Sequence, residues 1–471
     1  MVERVTKLLA GRWGWLAVAM LALVYLLIHP IGFTGGGADD SRYLDAARCW
    51  AAEGAMCQPD NHWASRWPAL APIAAGIGLF GEGRISIGLG TLAGWAASIA
   101  LVGLLGRLWF DRATGLLAAA LFASIPMVSA WATQPSVDLI ELAFQLGALA
   151  LATLAYRRQS VGMAVAAGVA AAVAVQARET SLMLCSVAAL AWLLLVPERR
   201  RVLLWALAGF GGATVVEMVA YAVATGDPLA RYHLSLGHVA IASPELQPWV
   251  DTSRGPLFNP DYIAGWKRTA GIEIWWPVDP WLNLLASPLI GAWLIAAVGM
   301  GMANKGESRR VVGRIALGAG LVAVLLVYGL AVDPKPRMFL LAAAVAVLVI
   351  GWATIGFARR GRGMVPWAVV ALLLVLGAAT MIRLPDTKAI EGAARDWIAA
   401  HPGRIESDPR TIGALTLLPQ ARALPPVGSG RPLRLVLTSA SCAALARDHA
   451  TVVAERRSAA GTLCLVSRTK G

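Results

Sequence analysis

The chain has 471 residues, of which 58% are hydrophobic and only 15% are charged, and its mean hydropathy is +0.63. This composition excludes a water-soluble globular protein, which could not cover so much apolar surface, and indicates a protein embedded in a membrane. The net charge of +13 does not indicate nucleic-acid binding. The arginines and lysines collect in short runs at every second junction between apolar stretches, which is the positive-inside pattern.

Apolar stretches of about 20 residues are long enough to cross a hydrocarbon core roughly 30 Å thick. Read by length and by basic flanks, the sequence predicts about eleven membrane-spanning helices, with the N-terminus in the cytoplasm and the C-terminus outside. The predicted limits are 13–32, 84–106, 113–131, 137–156, 161–177, 180–196, 202–224, 283–303, 312–332, 338–357 and 365–384. The membrane domain is thus predicted at residues 1–384, without the internal repeat that is typical of many transporters.

Two long external loops are predicted, at about 33–83 and 225–282, and residues 385–471 form an external tail. The tail has a helix-like run at Ala389–Ala400, then turns rich in proline and glycine, and strand candidates at Leu433–Thr438 and Thr462–Ser467. The predicted fold class is therefore a polytopic α-helical membrane protein with a small α/β extracytoplasmic C-terminal domain.

Four of the five cysteines fall in segments predicted outside, where disulfides are permitted. We predict a Cys49–Cys57 bond and a Cys442–Cys464 bond, with free thiols as the alternative. Their spacings are not those of a zinc site. Cys185 lies within a predicted span.

The first external loop opens with three glycines followed by Asp39–Tyr43. The glycines allow a sharp turn at the membrane exit, and Asp40 or Ser41 can cap a helix that runs to about Ala52. Two adjacent carboxylates repel each other, so one of them could titrate at a raised pKa and act as a general base. The alternative is that both acids only cap the helix.

Arg66 lies in the same loop, on the outer side, where the positive-inside rule does not require a cation. It could bind a phosphate in a bidentate manner or extend to lipid headgroups. Asp138 starts a polar stripe with Glu141 and Gln145 that enters a predicted span, and acids in this position normally face the bundle interior. They could contribute to a site or pair with an internal arginine.

Two further outer turns carry charges. Arg178 and Glu179 are adjacent in one turn, where they could form an ion pair of their own. Lys335 and Arg337 stand in the turn Asp333–Arg337, in which two prolines fix the direction of the cations. A bound phosphate would explain these cations, and contact with lipid headgroups is the alternative.

Together these features resemble the GT-C superfamily of integral-membrane glycosyltransferases. The similarity is greatest to aminoarabinose-transferase-like enzymes and protein O-mannosyltransferases, the enzymes of glycosyltransferase families 39 and 83. Four segments match patterns of that family: Asp39–Tyr43 after the first span, Arg66-Trp67-Pro68 with Leu79-Phe80-Gly81, Asp138, and Arg337–Leu340. Arginine replaces the family's lysine at Arg66, and methionine replaces its tyrosine at Met338.

The resemblance implies transfer of a sugar from a polyprenyl-phosphate donor to a lipid, glycan or protein acceptor in cell-envelope glycan biosynthesis. It implies an inverting single displacement on the extracytoplasmic side of a bacterial inner membrane. Asp39 would be the general base, and Arg66, Lys335 and Arg337 would hold the lipid phosphate. Tyr43 would contact the substrate. The other candidate residues would shape the site or orient Asp39: Asp40, Asp138, Arg178 and Glu179.

No cofactor is required by this resemblance. Some relatives use a divalent metal, for which the sequence identifies no ligand set. A transporter or flippase for a lipid-linked sugar would also need acids in the membrane and outer cations. A membrane scaffold with an external binding domain is a third reading, in which the cations near the acids are coincidental.

Overall fold

The computed structural model describes residues 11, 13–28, 39–58, 61–195, 200–236, 266–269, 272–275, 279–304, 309–329, 336–362, 364–384, 388–438, 442–443, 450–458 and 461–468. The helices of the first half are α1 (Gly14–Ile28), α2 (Asp39–Glu53), α3 (Trp67–Phe80), α4 (Arg84–Trp109), α5 (Arg112–Ala123), α6 (Pro126–Trp131), α7 (Asp138–Arg158), α8 (Val161–Ala177), α9 (Ser181–Leu195), α10 (Arg200–Thr225) and α11 (Ala230–Leu236). The chain continues with β1 (Trp266–Thr269), β2 (Ile272–Trp275), α12 (Asp279–Ala286), α13 (Gly291–Ala303), α14 (Arg309–Val324), α15 (Leu340–Arg359) and α16 (Met364–Ile382).

Within these described ranges, six helical segments are long and apolar enough to cross a membrane. They correspond to α4, α7, α10, α14, α15 and α16, and further apolar helices of 10 to 17 residues accompany them. The chain is therefore a polytopic helical membrane protein. The count of eleven crossings and their direction stay predictions.

Two of the predicted spans are wrong as single helices. The span 113–131 is divided into α5 and α6, because Pro126 occupies the first turn of α6 and Ile125 before it is extended. The span 283–303 is divided into α12 and α13 by a turn that contains Pro288. In both places a proline ends the run of helical hydrogen bonds, whereas hydropathy alone reads the segment as continuous.

The first external loop is also more structured than the sequence indicated. Its second half is α3, a helix of 14 apolar residues whose Leu70 and Ile73 are buried. The helix expected after the acidic pair is present as α2, and it packs against α3 through Tyr43 and Leu44. This pair of helices builds one wall of the region described below.

The main core lies around α15, most of whose apolar residues are buried, so this helix is the centre of the bundle. Its start at Phe339 and Leu340 packs among residues of α4 to α7 and α13. Elsewhere in the bundle, a glycine without a side chain allows two helices to approach each other closely. At the crossing of α8 and α10, Gly168 approaches the Ala206 carbonyl, and a Cβ there would lie 1.8 Å from that oxygen.

The tail forms a small four-stranded sheet with short helices beside it. Its elements are α17 (Lys388–Ala400), β3 (Ile405–Ser407), α18 (Pro409–Ala414), α19 (Pro419–Arg422), β4 (Leu433–Thr438), β5 (Ala450–Ser458) and β6 (Gly461–Arg468). The strand order is β3-β4-β6-β5, with β3 parallel to β4 and the other pairs antiparallel. Buried residues of α17, β4 and β6 form its separate core.

Candidate active site

Helix α2 carries the acidic pair in its first turn, where carboxylates are favoured by the positive end of the helix dipole. Its apolar face is formed by Tyr43, Leu44 and Ala47, which are all buried. The two acids differ in environment. The Asp39 side chain is 37% exposed, whereas Asp40 is 1% exposed and faces the helix packing. Asp39 is therefore the more exposed of the two acids.

Asp39 is held by two donors from distant parts of the chain. Arg337 Nη2 donates to Asp39 Oδ2 at 2.6 Å, and Trp63 Nε1 donates to Asp39 Oδ1 at 3.3 Å. Arg337 comes from the short 3₁₀ turn Pro336–Phe339 that leads into α15. The guanidinium that the sequence placed on the same side as the acidic pair therefore touches the exposed carboxylate. The neighbouring Lys335 lies outside the described residues.

Arg66 is turned inward. Its guanidinium donates to the Tyr43 hydroxyl and lies 3.7 Å from Glu179 Oε2. This direction favours a role in the site over extension to headgroups. Burial raises the pKa of the Tyr43 phenol, and the nearby Arg66 opposes that rise without cancelling it. Tyr43 therefore stays a neutral hydroxyl that can donate a hydrogen bond of its own.

The acids of α7 are buried and satisfied by their neighbours. Arg178 Nη1 donates to Asp138 Oδ1 at 2.8 Å. Glu141 accepts from Thr180 at 2.9 Å and from Ser181 at 2.7 Å. The predicted polar stripe faces the bundle interior, and Asp138 pairs with an internal arginine, as the alternative reading had it.

Glu179 turns away from its neighbour Arg178, so an ion pair between these adjacent residues is a wrong expectation. Its partner is Arg231 of α11, whose Nη2 lies 2.8 Å from Glu179 Oε1. Burial would raise the pKa of Glu179, but the positive charges of Arg231 and Arg66 outweigh it and lower the pKa to about 2. Glu179 is thus ionised and links the Arg66 side chain to α11.

Arg231 is the principal residue that sequence reasoning missed. Its side chain is 0% exposed, and its Nη1 lies 2.9 Å from Glu217 Oε1. Its Nη2 also donates to the Val175 carbonyl at 2.8 Å. A signal for it existed, because Glu217 is a lone acid inside a predicted span and such an acid needs a partner. Trp63 was also missed as a donor to Asp39.

The cysteine pairs that the sequence favoured are bonded in the structure, Cys49 to Cys57 and Cys442 to Cys464. The first bond fastens the end of α2. Cys185, in α9, is free. In the described part of the chain, no three His, Cys, Asp or Glu side chains meet in an arrangement that could hold a metal ion.

The bundle has the fold of solved membrane glycosyltransferases. The oligosaccharyltransferase of Archaeoglobus fulgidus, solved with zinc and sulfate, aligns with 87% of this chain and 58% of its own at 15% identity and a TM-score of 0.53. The oligosaccharyltransferase AglB of Archaeoglobus fulgidus, in complex with an inhibitory peptide and a dolichol-phosphate, aligns with 88% of this chain and 61% of its own at 15% identity and a TM-score of 0.51. ArnT of Cupriavidus metallidurans, bound to undecaprenyl phosphate, aligns with 97% of this chain and 98% of its own at 19% identity and a TM-score of 0.46.

The protein is therefore a polytopic membrane protein with a GT-C-type fold, and it spans about three fifths of the length of the archaeal enzymes. Residues 69–224 match the family of dolichyl-phosphate-mannose-protein mannosyltransferases. The resemblance to this group of enzymes is thus confirmed. The comparison with curated protein sequences gave no match. Asp39 and Arg337 lie outside the matched segment and are joined to it by the packing of the bundle.

Proposed function

We propose that this protein transfers a sugar from a polyprenyl-phosphate donor to an acceptor hydroxyl at the site around Asp39. The observation that carries the proposal is the exposed Asp39 carboxylate in contact with Arg337 at 2.6 Å. A base and a phosphate-binding cation are thereby adjacent on one surface. The family of residues 69–224, whose description names a dolichyl-phosphate sugar, supports the donor class.

The reaction is an inverting single displacement. Asp39 accepts the proton of the acceptor hydroxyl, and the acceptor oxygen forms a bond to the anomeric carbon of the sugar. The bond between that carbon and the phosphate oxygen breaks, and its electron pair leaves with the lipid phosphate. Arg337 and Arg66 stabilise the charge that develops on the phosphate, as preorganised cations in a partly buried site do.

Arg337 has a double role in this scheme. Without a donor it neutralises Asp39, whose two oxygens are occupied by Arg337 and Trp63. An incoming phosphate draws the guanidinium toward itself and frees one carboxylate oxygen for the acceptor. The proposed order is therefore donor first and acceptor second.

The buried charges hold the walls of the site. The Asp138–Arg178 pair fixes the entry of α7 against the turn before α9, and Glu179 holds Arg66. Asp40 and Tyr43 set the start of α2. Lys335 is proposed as an additional phosphate-binding cation.

The proposed topology follows from the basic junctions. The N-terminus lies in the cytoplasm, and the first loop, the acidic pair and the C-terminal domain lie on the extracytoplasmic face of a bacterial inner membrane. Eleven crossings give this arrangement.

The test uses membranes that contain the full chain and a panel of polyprenyl-phosphate-linked hexoses and pentoses with a radiolabelled sugar. Asp39→Asn should lower turnover by about 10²- to 10⁴-fold, the usual contribution of a general base. Glu53→Gln, at the exposed end of the same helix, is the control and should retain turnover. Wild-type turnover by Asp39→Asn would refute the base assignment.

Arg337→Gln tests the donor role. It removes a charge-assisted contact, so the donor KM should rise by about 10- to 100-fold. An unchanged dependence on donor concentration would contradict the phosphate role. Movement of labelled donor across the membrane without any transferred sugar would instead support a flippase.

A further inference from the structure

The far end of α2 is attached to the C-terminal domain through Arg48. Arg48 Nη1 donates to Thr416 Oγ1 at 3.0 Å, and Nη2 donates to the Thr416 carbonyl at 2.8 Å. The same guanidinium lies 2.6 Å from Glu82, in the turn between α3 and α4, and 2.6 Å from Asp45 on its own helix. One arginine therefore ties three separate parts of the chain together, and its side chain is only 16% exposed.

Further contacts close the same joint. Arg422 of the C-terminal domain lies 3.1 Å from Glu82, and Glu391 of α17 pairs with Arg84 at the start of α4. Burial would raise the pKa of Glu82, but the hydrogen bond and charge of Arg48, with the charge of Arg422, hold it below the ordinary value. Leu417 packs onto the apolar cluster of α2 and α3. The joint thus combines ionised pairs with an apolar contact.

This joint lies on the helix that begins with Asp39. Arg48 follows Asp39 by nine residues, which is an axial distance of about 14 Å in an α-helix. Such a helix transmits a tilt at one end to the other, and the bond from Cys49 to Cys57 stiffens the end that Arg48 holds. A misplacement of about 1 Å at a reacting group can lower a rate by about 10²-fold.

We propose that the C-terminal domain is part of the catalytic unit and that Arg48 is a positioning residue for Asp39. Its contacts with Glu82 and Thr416 set the tilt of α2 and so the distance between the Asp39 carboxylate and the acceptor hydroxyl. This inference rests on the proposed function, in which Asp39 is the base. Arg48 itself touches neither substrate.

The experiment uses the full chain and the polyprenyl-phosphate sugar on which the wild type turns over. Arg48→Gln should lower kcat by about 10- to 100-fold, while the donor KM stays within about twofold and the pH profile of kcat keeps its shape. Arg457→Gln is the matched control, because Arg457 is 74% exposed and pairs only with Glu455 on its own strand in the described structure. The control should retain the wild-type kcat.

A charge exchange provides a test that does not depend on the folding of the Arg48 variant. Arg84→Glu and Glu391→Arg should each lower kcat, and the double variant should recover most of the loss. The proposal would be overturned if Arg48→Gln left kcat unchanged, with or without a raised donor KM. It would also be overturned if Arg457→Gln lost as much kcat as Arg48→Gln, or if the Arg84→Glu/Glu391→Arg double variant recovered no kcat. Loss of turnover in Asp39→Asn together with unchanged kcat in Arg48→Gln would leave the proposed function standing and remove only the positioning role.

Discussion

Replacing Arg231 by methionine should destabilise the whole bundle, because it leaves the buried Glu217 without its cation. The Arg231 side chain is fully buried, and its partner Glu217 is 4% exposed. Breaking a buried ion pair by removing one partner costs about 3–5 kcal/mol. Arg231→Met also removes the hydrogen bond to the Val175 carbonyl. We therefore expect the free energy of unfolding to fall by at least about 3 kcal/mol.

The measurement is reversible unfolding in mixed micelles at increasing SDS fraction, followed by circular dichroism. A second variant separates the charge from the packing of the side chain. If the uncompensated charge is the cause, Glu217→Gln in the Arg231→Met background should recover about half of the loss, since a neutral amide needs no cation. An unfolding free energy of Arg231→Met within about 1 kcal/mol of the wild type would refute the reasoning. So would a further loss on adding Glu217→Gln.

Three shorter predictions concern other parts of the molecule. Gly168→Ala should destabilise the bundle by about 1–3 kcal/mol, because its Cβ would lie 1.8 Å from the Ala206 carbonyl oxygen. Gly212→Ala is the control and should be neutral or stabilising, because its Cβ would meet no atom of another helix within 4 Å. The pKa of Glu179 falls from 4.5 to about 2 on folding, so its contribution to stability is complete above pH 4.5 and is lost as the pH falls toward 2. The unfolding free energy of Glu179→Gln should therefore vary less over that range, and an equally steep dependence would contradict the assignment. Peptide mapping without reductant should recover Cys49–Cys57 as a linked peptide, and recovery of alkylated thiols would contradict the bond.

Much of the candidate site was accessible from the sequence because charges in unusual places are informative. Arg66 and Arg337 stand where the positive-inside rule requires no cation, and Asp138 stands where a membrane disfavours an acid. The structure has Arg337 in contact with Asp39 and pairs Asp138 with Arg178. Charged residues in such unusual positions identify the region of the candidate site, but they do not identify the residue that each side chain contacts.

The partners depend on packing between distant segments, which no local pattern encodes. Arg231 reaches Glu217 and Glu179 only because α11 folds back against α8 and α10. Trp63 reads locally as an interfacial aromatic residue, and only the packing of α2 beside its segment brings its indole to Asp39.

The errors in the fold have equally specific causes. Hydropathy is averaged over many residues, so a single proline such as Pro126 hardly changes it. The sequence therefore predicted α5 and α6 as one continuous helix. The 14 residues of α3 are short for a span, which is why they were read as part of a loop. Strand β5 was missed because its outer positions carry Glu455 and two arginines, which lower its apolar signal.

The joint at Arg48 also has a consequence for the order in which the protein is made. Arg48 and Thr416 are 368 residues apart in the chain. At a synthesis rate of about 5–20 residues per second, Thr416 is synthesised roughly 20 to 70 s after Arg48. The acidic pair thus leaves the ribosome well before Thr416 is synthesised, and the contact that steadies its helix forms only after that delay.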